Sequence, residues 1–214
     1  MAYSCHIVPR PVEWHSGIEV TGYWFLDRPS AWLPPADLVR FLDAGPPPVY
    51  IGFGSMILAD PEATVALVLA AVAQAGCRAV IAAGWGGLTP KALSPNVFAL
   101  VEAPHDWLFP RMAAVVHHGG AGTTAAALRA GVPSIIIPFL GEQSFWAHTL
   151  VQRGVAHEAL PQNRLAPSTL SRAITLALND FSMRQRAVTL GALIREEDGV
   201  ARAADWIETM GTVR

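Results

Sequence analysis

Charged residues and cysteines are scarce in this sequence of 214 residues. Only 15% of the residues are charged and the formal net charge is −2, which gives no electrostatic reason to expect nucleic acid or an anionic membrane as a partner. Cys5 and Cys77 are the only cysteines, too few for a disulfide scaffold or a cysteine-based zinc site. No apolar run approaches the ~20 residues of a membrane-spanning helix, and the N-terminus lacks the apolar core of a signal peptide. These absences predict a cytoplasmic protein with no transmembrane segment.

Hydrophobic residues are abundant, and they are unevenly arranged along the chain. They make up 52% of the sequence, which predicts a globular protein with a real core. Residues 1–48 are rich in proline and hold three of the seven tryptophans, so we interpret them as a linker-like strap. Within this strap the sequence predicts an extended piece over residues 18–24 and a helical turn over residues 37–42. Residues 49–214 are predicted to form the main domain.

From residue 49 onward, short apolar runs alternate with helical patterns. Strands are predicted over residues 49–53, 78–84, 96–102, 113–117, 133–139 and 155–159. Helices are predicted over residues 61–76, 106–112, 121–131 and 142–154, followed by two or three amphipathic helices in residues 167–213. This alternation predicts an α/β fold with an open, doubly wound parallel sheet, Rossmann-like, that binds ligands at the carboxyl ends of its strands.

Two glycine-rich loops follow predicted strands. In "HHGGAGTT" (residues 117–124), glycine backbone N–H groups can approach an anion closely, and the following helix N-terminus adds partial positive charge. In "GFGSM" (residues 52–56), Ser55 adds a hydroxyl. Two such loops at one sheet edge suggest a ligand with a diphosphate between them. The alternative is that the glycines only form tight turns and Ser55 caps a helix. Neither loop matches the dinucleotide fingerprint or the P-loop.

The longest motif, "APHDWLFPRMAAVVHHGGAGTTAAALRAGVPSIIIPFLGEQSFWA" (residues 103–147), resembles the signature of the UDP-glycosyltransferase family with the GT-B fold. The resemblance favours its sterol-glucosyltransferase and glycopeptide-antibiotic glucosyltransferase branches, and "VTGYW" and "VYIGFGSM" extend it over nearly the whole chain. It implies the C-terminal domain of a GT-B enzyme. It also implies inverting transfer of a hexose, with glucose as first choice, from a UDP- or dTDP-sugar to an acceptor hydroxyl. No essential metal or further cofactor is implied.

The resemblance also implies roles for particular residues. Those that would hold the diphosphate of the nucleotide sugar are Ser55, His117, Gly119, Gly120, Ala121, Gly122 and Thr123. The backbone of Ala103 would read the nucleobase edge, and Trp85 would form a wall beside the base unless it is a core or lid residue. Glu142 and Gln143 would bind sugar hydroxyls, because a carboxylate and an amide together accept and donate hydrogen bonds. Their alternative role is to cap a helix.

The sequence departs from the family pattern at three positions. Glu142 replaces the usual aspartate, which puts the choice of sugar in doubt. Plant-type members have an aromatic residue where Glu102 stands and a glutamate where Ala125 stands, so base stacking and ribose recognition must differ here. We expect His118 to orient its loop rather than bind zinc.

Every motif that the resemblance identifies belongs to the C-terminal half of such an enzyme, whereas the family's general base comes from the N-terminal half. We therefore expect a donor-binding half that needs an N-terminal acceptor-binding domain, in cis or in trans, and that is inactive alone. One alternative is a non-catalytic nucleotide-sugar-binding module or a subunit of a split glycosyltransferase. A weaker alternative is a UDP-sugar epimerase of GT-B form, for which the sequence offers no cluster of acids.

Overall fold

The computed structural model describes residues 1–54, 56, 60–82 and 94–212. Its centre is one parallel sheet of five strands in the order β3-β2-β1-β4-β5. The strands are Val49–Gly52 (β1), Ala79–Ala82 (β2), Val97–Leu100 (β3), Ala114–His117 (β4) and Ser134–Ile136 (β5). The predicted doubly wound parallel sheet is confirmed. Ser55 and Trp85, two of the predicted site residues, lie outside the described residues.

Eight α-helices connect and follow the strands in the described part of the chain. They are Ala36–Asp43 (α1), Pro61–Ala75 (α2), His105–Leu108 (α3), Ala121–Ala130 (α4), Gly141–Gln152 (α5), Pro167–Asn179 (α6), Phe181–Arg195 (α7) and Gly199–Thr212 (α8). The predicted tail helices are confirmed and number three. No helix in the described ranges combines the length and apolarity needed to cross a bilayer.

Capping residues explain where the long helices begin and end. The Asp60 side chain accepts a hydrogen bond from the Ala63 N–H, and Pro61 occupies the first helical position of α2. α4 ends at Gly131, whose φ of 73° lies in the left-handed region that favours glycine. These signals are local, which is why the sequence located both helices.

Two predicted extended segments do not form strands. Residues 155–159 make one isolated bridge, Ser134 to Ala156, instead of a sixth strand. Val155 and Ala156 are buried there, the Val155 carbonyl accepts from the Ser134 N–H, and the Leu160 N–H donates to Ile136 O, so the segment is buried and pairs with β5 only in part. The predicted extended piece over residues 18–24 is interrupted at Gly22, whose φ is 98°, and the apolar side chains of Val20 and Tyr23 are buried.

The core lies on both faces of the sheet. On one face Ile51 packs in a cluster with Val68 of α2 and Leu170 of α6. On the other face Tyr50 packs with residues of α3 and α4, as expected for strand neighbours that point to opposite sides. Residues 1–48 contribute to the second face, because Leu38 of α1 joins the Tyr50 cluster. The strap is thus anchored in the core through α1.

Candidate functional site

The two glycine loops leave the sheet side by side. β1 and β4 are hydrogen-bonded neighbours, with Gly52 in register with His117. On the other side of β4, His117 is in register with Ile136 at the end of β5. The loops after β1 and β4 therefore start at the same edge of the sheet, as the sequence predicts, and the residues before α5 lie next to them.

His117 is completely buried at the end of β4. Its Nδ1 accepts a hydrogen bond from the Gly119 N–H at 3.1 Å, so the proton of the neutral ring must be on Nε2. Burial, helped by His118 and His105, lowers the pKa of His117 to about 3, which keeps the ring neutral at physiological pH. In the described structure Nε2 is buried and has no hydrogen-bond partner. A buried donor without a partner costs about 1–3 kcal/mol, which an acceptor on a ligand would recover.

The three glycines of the second loop differ in what a side chain at each position would contact. Gly119 has a φ of 89°, and a Cβ there would lie 2.8 Å from Ile136 Cγ2. A Cβ on Gly120 would lie 2.3 Å from His118 Nε2. A Cβ on Gly122 would meet nothing within 4 Å. The backbone therefore requires glycine at position 119, whereas a side chain at position 120 would have to displace the His118 ring, and only open space lies beside Gly122.

The N-terminus of α4 is open to an anion. Its N-cap residue, Gly120, makes no side-chain capping hydrogen bond, so the first backbone N–H groups of the helix remain available. Ala121 and Gly122 are exposed and Thr123 is half-buried, which leaves this turn accessible. The Thr124 hydroxyl is buried and, like His117 Nε2, has no hydrogen-bond partner in the described structure.

Glu142 and Gln143 point in different directions. Gln143 is 2% exposed, and its Oε1 accepts hydrogen bonds from the Phe139 N–H at 2.7 Å and the Leu140 N–H at 3.0 Å. It therefore has the capping role that the sequence left open, and its Nε2 lies 3.4 Å from Met56 Sδ in the first loop. Glu142 is exposed; burial lowers the pKa of His118, and the negative charge of Glu142 only partly opposes that shift.

A cavity of about 710 Å³ opens beside the second loop. It lies between the strap (residues 24–29) and one face of α4 that includes Gly122 and Ala126. Pro104 and His105 close its third side, directly after Ala103. The cavity extends the open space at Gly122, and its size is typical of a site for a small molecule.

Ala103, predicted to read the nucleobase, lies in the loop between β3 and α3. β3 is at the far edge of the sheet, but α3 packs against α4 and brings this loop close to the second glycine loop. His105, which the sequence reasoning missed, stacks on Phe109 with ring centroids 4.2 Å apart and meets Tyr50 edge-on. His105 follows the end of β3, and that position in the sequence could have marked it as a candidate site residue. No grouping of three or more potential metal ligands occurs among the described residues.

The His117 Nε2–H and the free N–H groups at the start of α4 lie at the carboxyl edge of a parallel sheet. This is the edge at which doubly wound α/β domains of the nucleotide-binding class bind their ligands. Within that class, residues 66–198 match the family described as "Erythromycin biosynthesis protein CIII-like, C-terminal domain". The chain belongs to this family of glycosyltransferase C-terminal domains.

The similar proteins are glycosyltransferases. The chain is 44% identical to the sterol 3-beta-glucosyltransferase UGT80A2 of Arabidopsis thaliana, over 94% of this chain and 32% of that protein. It is 42% identical to a sterol 3-beta-glucosyltransferase of Aspergillus clavatus, over 94% of this chain and 15% of that protein. The crystal structure of the calicheamicin glycosyltransferase CalG4 superposes with a TM-score of 0.74 at 26% identity, over 94% of this chain and 49% of CalG4.

These comparisons also define the extent of the match. The chain spans a third or less of the length of those two sterol glucosyltransferases and about half of CalG4. It corresponds to the C-terminal half of a UDP-glycosyltransferase related to the sterol enzymes.

Proposed function

We propose that this chain is the donor-binding half of an inverting glycosyltransferase. The enzyme would transfer a hexose, with glucose as first choice, from a UDP-sugar to a hydroxyl of a lipophilic acceptor such as a sterol or another natural product. The observation that carries the proposal is the buried His117 Nε2–H, without a partner in the described structure, beside the uncapped N-terminus of α4. The similar sterol 3-beta-glucosyltransferases supply the acceptor class.

The site can stabilise the leaving group. When the bond from the sugar to the diphosphate breaks, negative charge grows on the leaving oxygen. The His117 Nε2–H and the first N–H groups of α4 are fixed donors that need no rearrangement to receive this charge. The nucleoside would extend past Gly122 into the cavity of about 710 Å³, which Pro104, the residue after Ala103, lines.

Neither His117 nor Glu142 suits the role of general base in the proposed reaction. With its pKa lowered to about 3, His117 is too weak a base to take a proton from an acceptor hydroxyl. Glu142 is reserved by the proposal for sugar hydroxyls. The base would therefore come from an N-terminal acceptor-binding domain, in cis or in trans, which would also hold the acceptor in line for attack.

The test is to compare the lone chain with a fusion that joins it to the N-terminal part of a sterol glucosyltransferase such as UGT80A2. Release of UDP from UDP-glucose is measured with and without a 3β-hydroxysterol. We expect acceptor-dependent release from the fusion only, and loss of that release in a fusion carrying His117→Ala. Acceptor-dependent turnover by the lone chain that an internal substitution abolishes would contradict the proposal. A parallel assay with dTDP-glucose identifies the nucleotide.

A further inference from the structure

The imidazole ring of His118 lies between the two glycine loops. A Cβ on Gly120, in the second loop, would lie 2.3 Å from its Nε2. A Cβ on Gly54, in the first loop, would lie 3.1 Å from its Cε1. Gly54 has a φ of 59°, so the first loop turns at the point where the ring meets it. One flat side chain therefore lies against the backbone of both loops.

The surroundings of His118 are unusual for a histidine next to a ligand site. The residue is 9% exposed, and its Nδ1 is buried without a hydrogen-bond partner in the described structure. Burial lowers the pKa of His118, while the charge of Glu142 acts in the opposite direction. The ring thus contacts the two loops and lies within electrostatic range of the first turn of α5.

We propose that His118 is a positioning residue whose ring sets the distance between the Gly54 and Gly120 backbones, and thereby the width of the gap that receives the diphosphate. The identity of the ligand rests on the proposed function, but the spacing is a property of the protein alone. A ring suits this role because it is rigid and fills a narrow slot. A smaller side chain leaves a cavity into which the loops can move, and a larger one forces them apart.

This proposal explains why position 120 has no side chain. A methyl group on Gly120 and the His118 ring cannot occupy their present positions together, since no real Cβ approaches a ring nitrogen to 2.3 Å. Gly120→Ala should therefore act by displacing His118. Substitution of His118 removes the obstacle, so the two changes should not have independent effects.

A double-mutant cycle tests the proposal, with His118→Ala, Gly120→Ala and the double variant. We expect His118→Ala to raise the Kd for UDP at least about fivefold. Gly120→Ala should raise the Kd to a similar extent. The Kd of the double variant for UDP should be no higher than that of the single variant that binds UDP less tightly. His118→Gln, which keeps a planar polar side chain, should lose less affinity for UDP than His118→Ala. It replaces His118→Ala in the NMR measurement below if that variant does not fold. A folded His118→Ala protein whose Kd stays within about twofold of the original contradicts the proposal, as do multiplicative losses in the double variant.

An NMR measurement without ligand separates this proposal from the proposed function. The amide signal of Gly54 should move in His118→Ala and in Gly120→Ala, because both disturb the contact between the loops. If the unmodified protein does not bind UDP, the proposed function fails, and the Gly54 signal still decides the role of His118. An unchanged Gly54 signal in a folded His118 variant contradicts the positioning role.

Discussion

The Nδ1 atom of His117 accepts a hydrogen bond from the backbone N–H of Gly119 at 3.1 Å. This bond fixes the tautomer of a fully buried ring, so the only proton that His117 can offer is on Nε2. The pKa of about 3 means that the ring offers this proton as a neutral donor and not as a cation. The sequence alone left both forms open.

His117→Ala should weaken the binding of UDP and of UDP-glucose to the same extent, because both ligands carry the diphosphate. The expected loss is about 1.5–3 kcal/mol, the usual range for a hydrogen bond to a charged group. Titration calorimetry with each ligand measures it. His148→Ala removes an exposed histidine from α5 and is the matched control, which should leave both affinities unchanged. A loss confined to UDP-glucose would show that His117 faces the sugar.

Folding stability should fall in mild acid because of His117. The folded state holds this pKa near 3, whereas the unfolded chain binds a proton near the ordinary value of 6.5. The contribution of His117 to the free energy of unfolding is therefore fully present above pH 6.5. It decreases as the pH falls towards 3, by up to about 1.4 kcal/mol per pH unit. Burial lowers the pKa values of His105 and His118 as well, so their contributions have the same sign.

Urea unfolding at a series of pH values tests this dependence. His117→Gln removes one of the three titrating groups, so its free energy of unfolding should change less with pH over the same interval than that of the unmodified protein. Parallel pH dependences for the two proteins would contradict a buried neutral His117.

Gly122→Ala should preserve the fold and weaken the binding of UDP. No protein atom lies within 4 Å of the added Cβ, and alanine in a helix is favoured over glycine by up to about 1 kcal/mol. Only a ligand in the open space beside Gly122 would meet the methyl group. Gly141→Ala is the matched control, since Gly141 also begins a helix and faces open space. Melting temperatures and UDP titrations of both variants give the answer, and equal affinities for UDP would exclude close approach of the ligand to Gly122.

Local patterns made most of the fold predictable. The strands β1 to β5 are short apolar runs bounded by turn residues, and Pro61 and Gly131 define helix ends through backbone rules that depend on a few neighbours. The predicted strand at residues 155–159 was wrong because this buried segment bonds to β5 only near its two ends, and partial pairing leaves the same apolar signal as a full strand. Pairing depends on which residues lie alongside, and a single sequence does not contain that information.

The site was less predictable than the fold for a similar reason. The sequence places glycines after a strand, but the reason for each depends on distant neighbours: Ile136 for Gly119 and His118 for Gly120. The direction of the Gln143 side chain also depends on the path of residues 139–140, which its Oε1 caps.

Gln143 should contribute to stability through its cap and to sugar binding through its amide nitrogen. Gln143→Ala removes both and should lower the free energy of unfolding by about 0.5–2 kcal/mol, the range for lost capping side chains. Gln143→Glu keeps the capping oxygen and removes the amide donor. It adds a negative charge that affects UDP and UDP-glucose alike, so the difference between the two affinities isolates the sugar contact. That difference should shrink by ~1 kcal/mol. An unchanged difference would show that Gln143 is a cap alone.

Titration of the lone chain with UDP, followed by amide NMR shifts, tests the central claim most directly. We expect saturable shifts at Gly119, Gly120 and Gly122, with a Kd of roughly 0.1–1 mM, or about −4 to −5.5 kcal/mol, since the lone chain would lack the wall that the proposed acceptor-binding domain supplies. UDP-glucose should produce the same shifts and add others near Glu142. Absence of shifts at Gly119 and Gly120 at several millimolar UDP would contradict a diphosphate site between the two glycine loops.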